Sequence, residues 1–266
     1  MTSAGTLSSH PSHPPLAASG DVSSFVIDGV ADVAFGHPKS NSLPASVLRA
    51  LADEITALGQ RADVRVIVLR SYGAGAFCAG ASFDELVAID SPAAGKEFFM
   101  GFARVILAMT RCPRAIVTRV HGKAVGGGVG VVAASDYAIA TEKASLRLSE
   151  LAVGIGPFVV GPAIEHKVGA GAFAAMAIDA DWRDAAWGER HGLYARVVPD
   201  VESLDREVDT FAKKLAASNP EAVARIKRIT WEETQHWPQL LEERAAMSGS
   251  LVLSDYTRKA IAAFKS

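Results

Sequence analysis

Three consecutive glycines, 126 to 128, follow an apolar run and open the small-residue stretch Lys123-Ala-Val-Gly-Gly-Gly-Val-Gly-Val-Val-Ala-Ala-Ser-Asp136. Backbone amides in such a run approach a ligand with no side chain between them, an arrangement suited to a negative oxygen. A second small-residue loop, Ala79, Gly80 and Ala81, follows another strand-like segment. The two loops can each donate one N–H to the same oxygen, and loss of one such preorganised donor typically costs about 10²–10³ in rate. Glu150 lies between Ser145-Leu-Arg-Leu148 and the Gly154-Ile-Gly156 loop, in apolar surroundings. Burial there disfavours its charged form and moves the carboxyl toward general acid–base use.

Other chemistries find less support. From Gly126 the last glycine of a G-x-G-x-x-G dinucleotide fingerprint falls on Val131. Ser42, Ser82 and Ser149 lack a nucleophile elbow, and His121 has no carboxylate and serine at useful spacing, so it reads as structural. Cys78 and Cys112 form no metal-ligand pattern and are expected as reduced, unactivated thiols. Taken singly, the glycine loops read as turns, Glu150 as a solvated or ion-paired residue, and Asp84 and Glu85 as caps of the helix they open.

The elements that must position these residues form an α/β pattern. Residues 1–20, rich in Ser, Pro, Ala and His, read as a disordered arm with His10 and His13 solvated. Asp28-Gly29 marks a hairpin between two strands. An apolar stripe through Val47, Leu48, Leu51, Ile55 and Leu58 gives a helix that starts at Pro44. Residues 64–70, 115–120, 137–140 and 194–198 read as strands, and residues 91–111 as a helix whose Phe98, Phe99 and Phe102 face the core. Ligands collect at the C-terminal ends of such strands, where both glycine loops lie. After Pro199 the chain reads as helical to its end, which divides it into the arm, a core over 21–200 and a helical subdomain over 201–266.

With 49% hydrophobic residues and a net charge of −2, the chain carries no basic footprint for nucleic acid. It has no apolar run of membrane-spanning length and no signal-peptide order, so no membrane contact and a cytoplasmic location are expected.

The order and spacing of His37-Pro-Lys-Ser-Asn-Ser-Leu43, Phe77-Cys-Ala-Gly-Ala81, Val120-His-Gly-Lys-Ala-Val-Gly-Gly-Gly128, Ser135-Asp136 and Ser149-Glu-Leu151 resemble the crotonase, or enoyl-CoA hydratase/isomerase, family over about residues 22–266. The resemblance implies a spiral of ββα turns with C-terminal helices, assembled as homotrimers or hexamers. It implies an acyl-CoA thioester substrate, no metal or redox cofactor, and an oxyanion hole made by the N–H groups of Ala81 and Gly127, with Glu150 as the proton-transferring acid. It further implies that Lys39, the backbone of Ser40, Asn41, Ser42 and Leu43, and the loop residues Ala79, Gly80 and Gly126 lie along the ligand, with Phe264 by the adenine. One departure stands out. Hydratases of the family carry a second glutamate on the helix after the glycine run, and here that position is Gly130. A single carboxyl can still carry a proton between C2 and C4 of an enoyl chain, so double-bond isomerisation is preferred over hydration. A non-catalytic CoA-binding or assembly protein is the alternative from another class. Phe98, Phe99, Phe102, Phe158 and Trp182 are the candidates for shaping an acyl pocket.

Overall fold

The computed structural model describes residues 12–263. Strand β1 (Asp21–Ile27) turns through Asp28 and Gly29, both at positive φ, into β2 (Val30–Gly36), with Ile27 paired to Val30. This is the geometry that an Asp-Gly turn selects, because its backbone twist matches that of the flanking strands. The chain continues through α1 (Ala45–Gln60), β3 (Val66–Ser71), α2 (Phe83–Val87), α3 (Pro92–Arg111), β4 (Ala115–Val120), β5 (Ala124–Val125), α4 (Gly127–Ala133), β6 (Tyr137–Thr141) and β7 (Ser145–Arg147). Next come α5 (Gly161–Val168), α6 (Ala170–Asp179), β8 (Arg183–Asp184), α7 (Ala185–Arg190) and β9 (Arg196–Val198), then the helices α8 (Val201–Ala216), α9 (Pro220–Thr230), α10 (Trp237–Leu251) and α11 (Asp255–Ala263).

The long sheet runs β1-β2-β3-β4-β6-β9, parallel except for the β1–β2 hairpin. Its central strands are apolar on both faces, as strands covered on both sides must be. Val33, Ile67, Leu69 and Ile116 pack in the main core with α1 and α3, while Val66, Val68, Val117 and Ile139 pack against Leu204, Val208 and Ala212 of α8. A second, short layer joins β5, β7 and β8, and is extended by single bridges between Leu43 and Ala81 and between Cys78 and Ala124. Successive turns of the chain thus add a strand to the long sheet and a short extended piece to the second layer. The site residues ride on the second layer.

The C-terminal helices are pinned to this core by Asp136. Its carboxylate accepts from Ile116 N (2.7 Å) and Trp231 Nε1 (2.9 Å) and pairs with Lys227 Nζ at 2.7 Å. Lys227 is 4% exposed and also donates to Arg114 O. Burial of that cation is tolerable because it is paired with a carboxylate and hydrogen-bonded to a carbonyl.

One local expectation fails. His13 is not solvated: it is half-buried, hydrogen bonds to Ser23 Oγ (2.6 Å) and Asp32 Oδ1 (2.9 Å), and packs on Phe25 and Tyr72. Its partners come from β1, β2 and the loop after β3. A composition-based reading of residues 1–20 could not see them; residues 1–11, His10 among them, lie outside the described residues.

Candidate active site

Main-chain hydrogen bonds place the two amide donors. Leu43 N donates to Gly80 O and Ser82 N donates to Leu43 O, so the bridge spends the groups on either side of Ala81 and leaves its own N–H unpaired among the described residues. Cys78 N donates to Lys123 O and Val125 N to Cys78 O, which straps this loop to β5. Gly127 is the first residue of α4, and a first-turn N–H has no carbonyl behind it to meet. Gly80 and Gly126 take positive φ, +91° and +52°. A Cβ on Gly80 would stand 3.3 Å from Val125 O and 3.9 Å from Gly127 N, so the two loops are in van der Waals reach. A Cβ on Gly126 would come within 2.9 Å of Glu150 Oε1.

Glu150 is brought to the same place by Gly126 N donating to Arg147 O, which ties the glycine run to β7. Some surface of the residue remains exposed, yet its Oε2 is shut from solvent and has no partner among the described residues. Burial pushes this carboxyl up from the usual range to about 7, against the opposing pull of its own and Ser149's backbone. The acid is therefore poised to take or give a proton near neutral pH.

These groups face a cavity of about 290 Å³. Ala79, Gly80, Ala81, Gly126, Gly127 and Glu150 line it, and Phe98, Phe99, Phe102 and Phe158 form much of its apolar wall. Trp182, also a candidate for this wall, is instead 44% exposed and lies under Lys123 and Arg147. Among the described residues that line the cavity, Glu150 is the one carboxylate. The position of the absent second acid is packed shut: a Cβ on Gly130 would meet Val160 Cγ1 at 2.6 Å and Val160 Cβ at 2.8 Å. Asp84 and Glu85 do not substitute for it. Asp84 forms an exposed ion pair with Lys39, and Glu85 Oε2 accepts from Ala45 N (2.9 Å), capping α1 rather than its own helix, which Ser82 caps.

The loop of residues 39–43 is divided in its roles. Lys39 and Ser40 are exposed. Asn41 is 4% exposed; its Oδ1 accepts from His37 N, its Nδ2 donates to Tyr72 O and Ala76 O, and its carbonyl accepts from Ala79 N. Leu43 is wholly buried with both main-chain groups used, and Ser42 Oγ donates to Ala81 O at 2.8 Å. Asn41, Ser42 and Leu43 therefore brace the Ala79–Ala81 loop from behind. Most of their polar groups are spent within the protein in this support. Phe264 lies outside the described residues. Cys78 is buried, and burial lifts its thiol to about 12, which makes it inert. His121 is also buried and is depressed to about 4, first by desolvation and then by Arg119, so it is neutral and structural.

The family model for enoyl-CoA hydratase/isomerase matches residues 26–266. The chain belongs to that family. It is similar to the rat protein "Enoyl-CoA hydratase domain-containing protein 3, mitochondrial", 27% identical over 237 residues, covering 87% of this chain and 76% of the relative. It is 28% identical over 202 residues to the Mycobacterium tuberculosis "(7aS)-7a-methyl-1,5-dioxo-2,3,5,6,7,7a-hexahydro-1H-indene-carboxyl-CoA hydrolase", covering 75% of this chain and 79% of that one. The solved enoyl-CoA hydratase of Bacillus halodurans superposes with a TM-score of 0.84 at 19% identity, covering 91% of this chain and 99% of that one, a likeness of fold. The crotonase fold with its C-terminal helical region, expected from the resemblance, is thereby shown.

Proposed function

We propose that this crotonase-family enzyme isomerises the double bond of an enoyl-CoA thioester. The observation that carries the reading is the single cavity carboxyl, Glu150, standing beside two unpaired amides while Val160 fills the space a second acid would need. The thioester oxygen accepts from Ala81 N and Gly127 N. The Glu150 carboxylate removes a proton from C2 of a 3-enoyl chain, and the electron pair moves through C2 toward the thioester oxygen, where the two donors stabilise the developing charge. The protonated Glu150 then returns the proton at C4, leaving the 2-enoyl thioester. No atom is gained or lost, and one acid near pH 7 suffices for both transfers.

Lys39 exchanges Asp84 for a phosphate of the CoA moiety, an exchange that costs little because exposed ion pairs contribute only about 0–1 kcal/mol. The same reading carries assembly with further copies of the chain, as a trimer or hexamer.

The test is incubation with trans-3-enoyl-CoA and trans-2-enoyl-CoA in H₂¹⁸O, for wild type and Glu150→Gln, followed by mass analysis. Conversion of the 3-enoyl to the 2-enoyl thioester without ¹⁸O, slowed about 10²–10⁴-fold in the variant, is the expected result. Uptake of ¹⁸O into a 3-hydroxyacyl product would make the enzyme a hydratase and sink the isomerase reading. Tight acyl-CoA binding with no turnover of either thioester would leave a CoA-binding protein.

A further inference from the structure

Helix α10 buries a stripe made of Trp237, Leu241, Ala245 and Ser248, continued by Val252 just beyond it. Four of the five are apolar. Ser248 is the exception: it is 1% exposed as a residue, yet it lines the cavity that holds Glu150. Buried helical hydroxyls usually return their proton to the carbonyl a turn earlier. Thr110 does so, bonding to Ile106 O, but Ser248 Oγ has no hydrogen-bond partner among the described residues. An alanine would complete the apolar stripe, so the hydroxyl adds nothing to the packing of α10 and is left to whatever occupies the cavity.

The neighbourhood gives this hydroxyl a direction. Gly249 lies so close to α3 that a Cβ on it would be 2.4 Å from Lys96 N, and Phe98 and Phe99 follow on that helix as cavity walls. Val252 joins Phe83, Leu86, Phe99 and Ile155 in the apolar cluster under α11. The wall around Ser248 is thus mostly aromatic and aliphatic; the cavity's other polar lining side chains, Arg147, Ser149 and Glu150, come from the β7 side, and Ser248 with Phe98 and Phe99 comes from α10 and α3, elements separate from the Ala81, Gly127 and Glu150 loops.

We infer that Ser248 is a specificity residue: it forms a polar subsite for an oxygen function, hydroxyl or carbonyl, carried by the acyl chain away from the thioester. The inference rests on the acyl-CoA reading above and names its substrate class as oxygenated rather than plain aliphatic acyl thioesters. A serine hydroxyl both donates and accepts, so it matches either function.

Calorimetric binding of saturated thioesters, which cannot be isomerised, separates the two readings. The probes are hexanoyl-CoA and its congeners hydroxylated at C4, C5 or C6. One hydrogen bond is worth about 0.5–1.5 kcal/mol, so at least one hydroxylated congener is expected to bind about 3–10-fold tighter than hexanoyl-CoA. In Ser248→Ala that ratio falls to about one, whereas Ser248→Thr, which keeps a hydroxyl, retains a preference. Hexanoyl-CoA binding wild type as well as all three congeners would overturn the subsite and leave the acyl-CoA reading standing, with no variant needed. An undiminished ratio in Ser248→Ala would also overturn it. Failure of wild type to bind any of the four would bring down both readings together.

Discussion

Two carboxylates in this protein sit within the same framework and have opposite surroundings. Asp136 is saturated, with Ile116 N, Trp231 Nε1 and Lys227 Nζ all directed at it. Glu150 keeps an Oε2 that is buried and unpartnered, and burial lifts its titration to about 7. A carboxylate whose lone pairs are all engaged cannot exchange a proton without breaking the fold. One that keeps an oxygen dry and unpartnered can do so at little structural cost. The contrast separates the joint of the molecule from its site more sharply than residue type or burial does.

The comparison is most directly broken by exchanging each acid for its amide. Glu150→Gln is expected to lower turnover by about 10²–10⁴-fold while the protein stays folded. Asp136→Asn should do the reverse: it leaves the Lys227 ammonium buried without its charge partner, a loss on the order of 3–5 kcal/mol of stability, read by denaturant unfolding. Equal losses of stability in both variants would erase the distinction.

pH sharpens the contrast. Because the folded-state value of Glu150 is raised above its ordinary 4.5, ionising it costs stability; the cost is absent below about pH 4.5 and complete above about pH 7. Relative to wild type, Glu150→Gln should therefore gain up to about 3 kcal/mol above pH 7, an advantage that fades toward pH 4.5. Thermal unfolding of both proteins between pH 4 and 8 measures this, and a constant difference across the range would refute it. In turnover, kcat/KM should climb with pH to a plateau above about 7, since the carboxylate is the form that abstracts the first proton.

A smaller effect concerns the missing acid. Gly130→Glu drives a side chain into Val160 and should cost about 1–3 kcal/mol by overpacking, with no gain of hydration. Combining it with Val160→Ala opens the space. Incorporation of ¹⁸O from H₂¹⁸O into a 3-hydroxyacyl product of 2-enoyl-CoA in the double variant, absent from either single one, would show that steric closure at this point separates one-acid from two-acid chemistry.

Much of this arrangement was legible in the sequence because it is imposed by backbone. Gly80 and Gly126 adopt positive φ beside occupied space, and such demands leave glycine as their trace. The Asp28-Gly29 hairpin and the apolar stripes of α1 and α3 are local patterns of the same kind. Other features were hidden because their partners are distant. β5 and β8 have two residues each, too few for any periodicity. Helix α6, AGAFAAMAID, offers little contrast between its faces and passes unnoticed. Asn41 carries no local sign that its side chain clasps Tyr72 and Ala76, and that support is invisible until the loop is seen from behind. Ser248 is likewise silent, one serine among the helical residues of the C-terminal region, until the cavity it faces is known.

The clasps that run from Leu43 to Gly80 and Ser82, from Cys78 to Lys123 and Val125, and from Gly126 to Arg147 are all main chain to main chain. Substitution acts on side chains, so a site whose donors are peptide groups, strapped largely by other peptide groups, is sheltered from mutational drift outside its glycines and the Asn41 and Ser42 braces. The walls and the acid can be exchanged for those of another reaction while the amides stay where they are. A lineage built this way can change what it makes many times over without having to reinvent how it holds an oxygen.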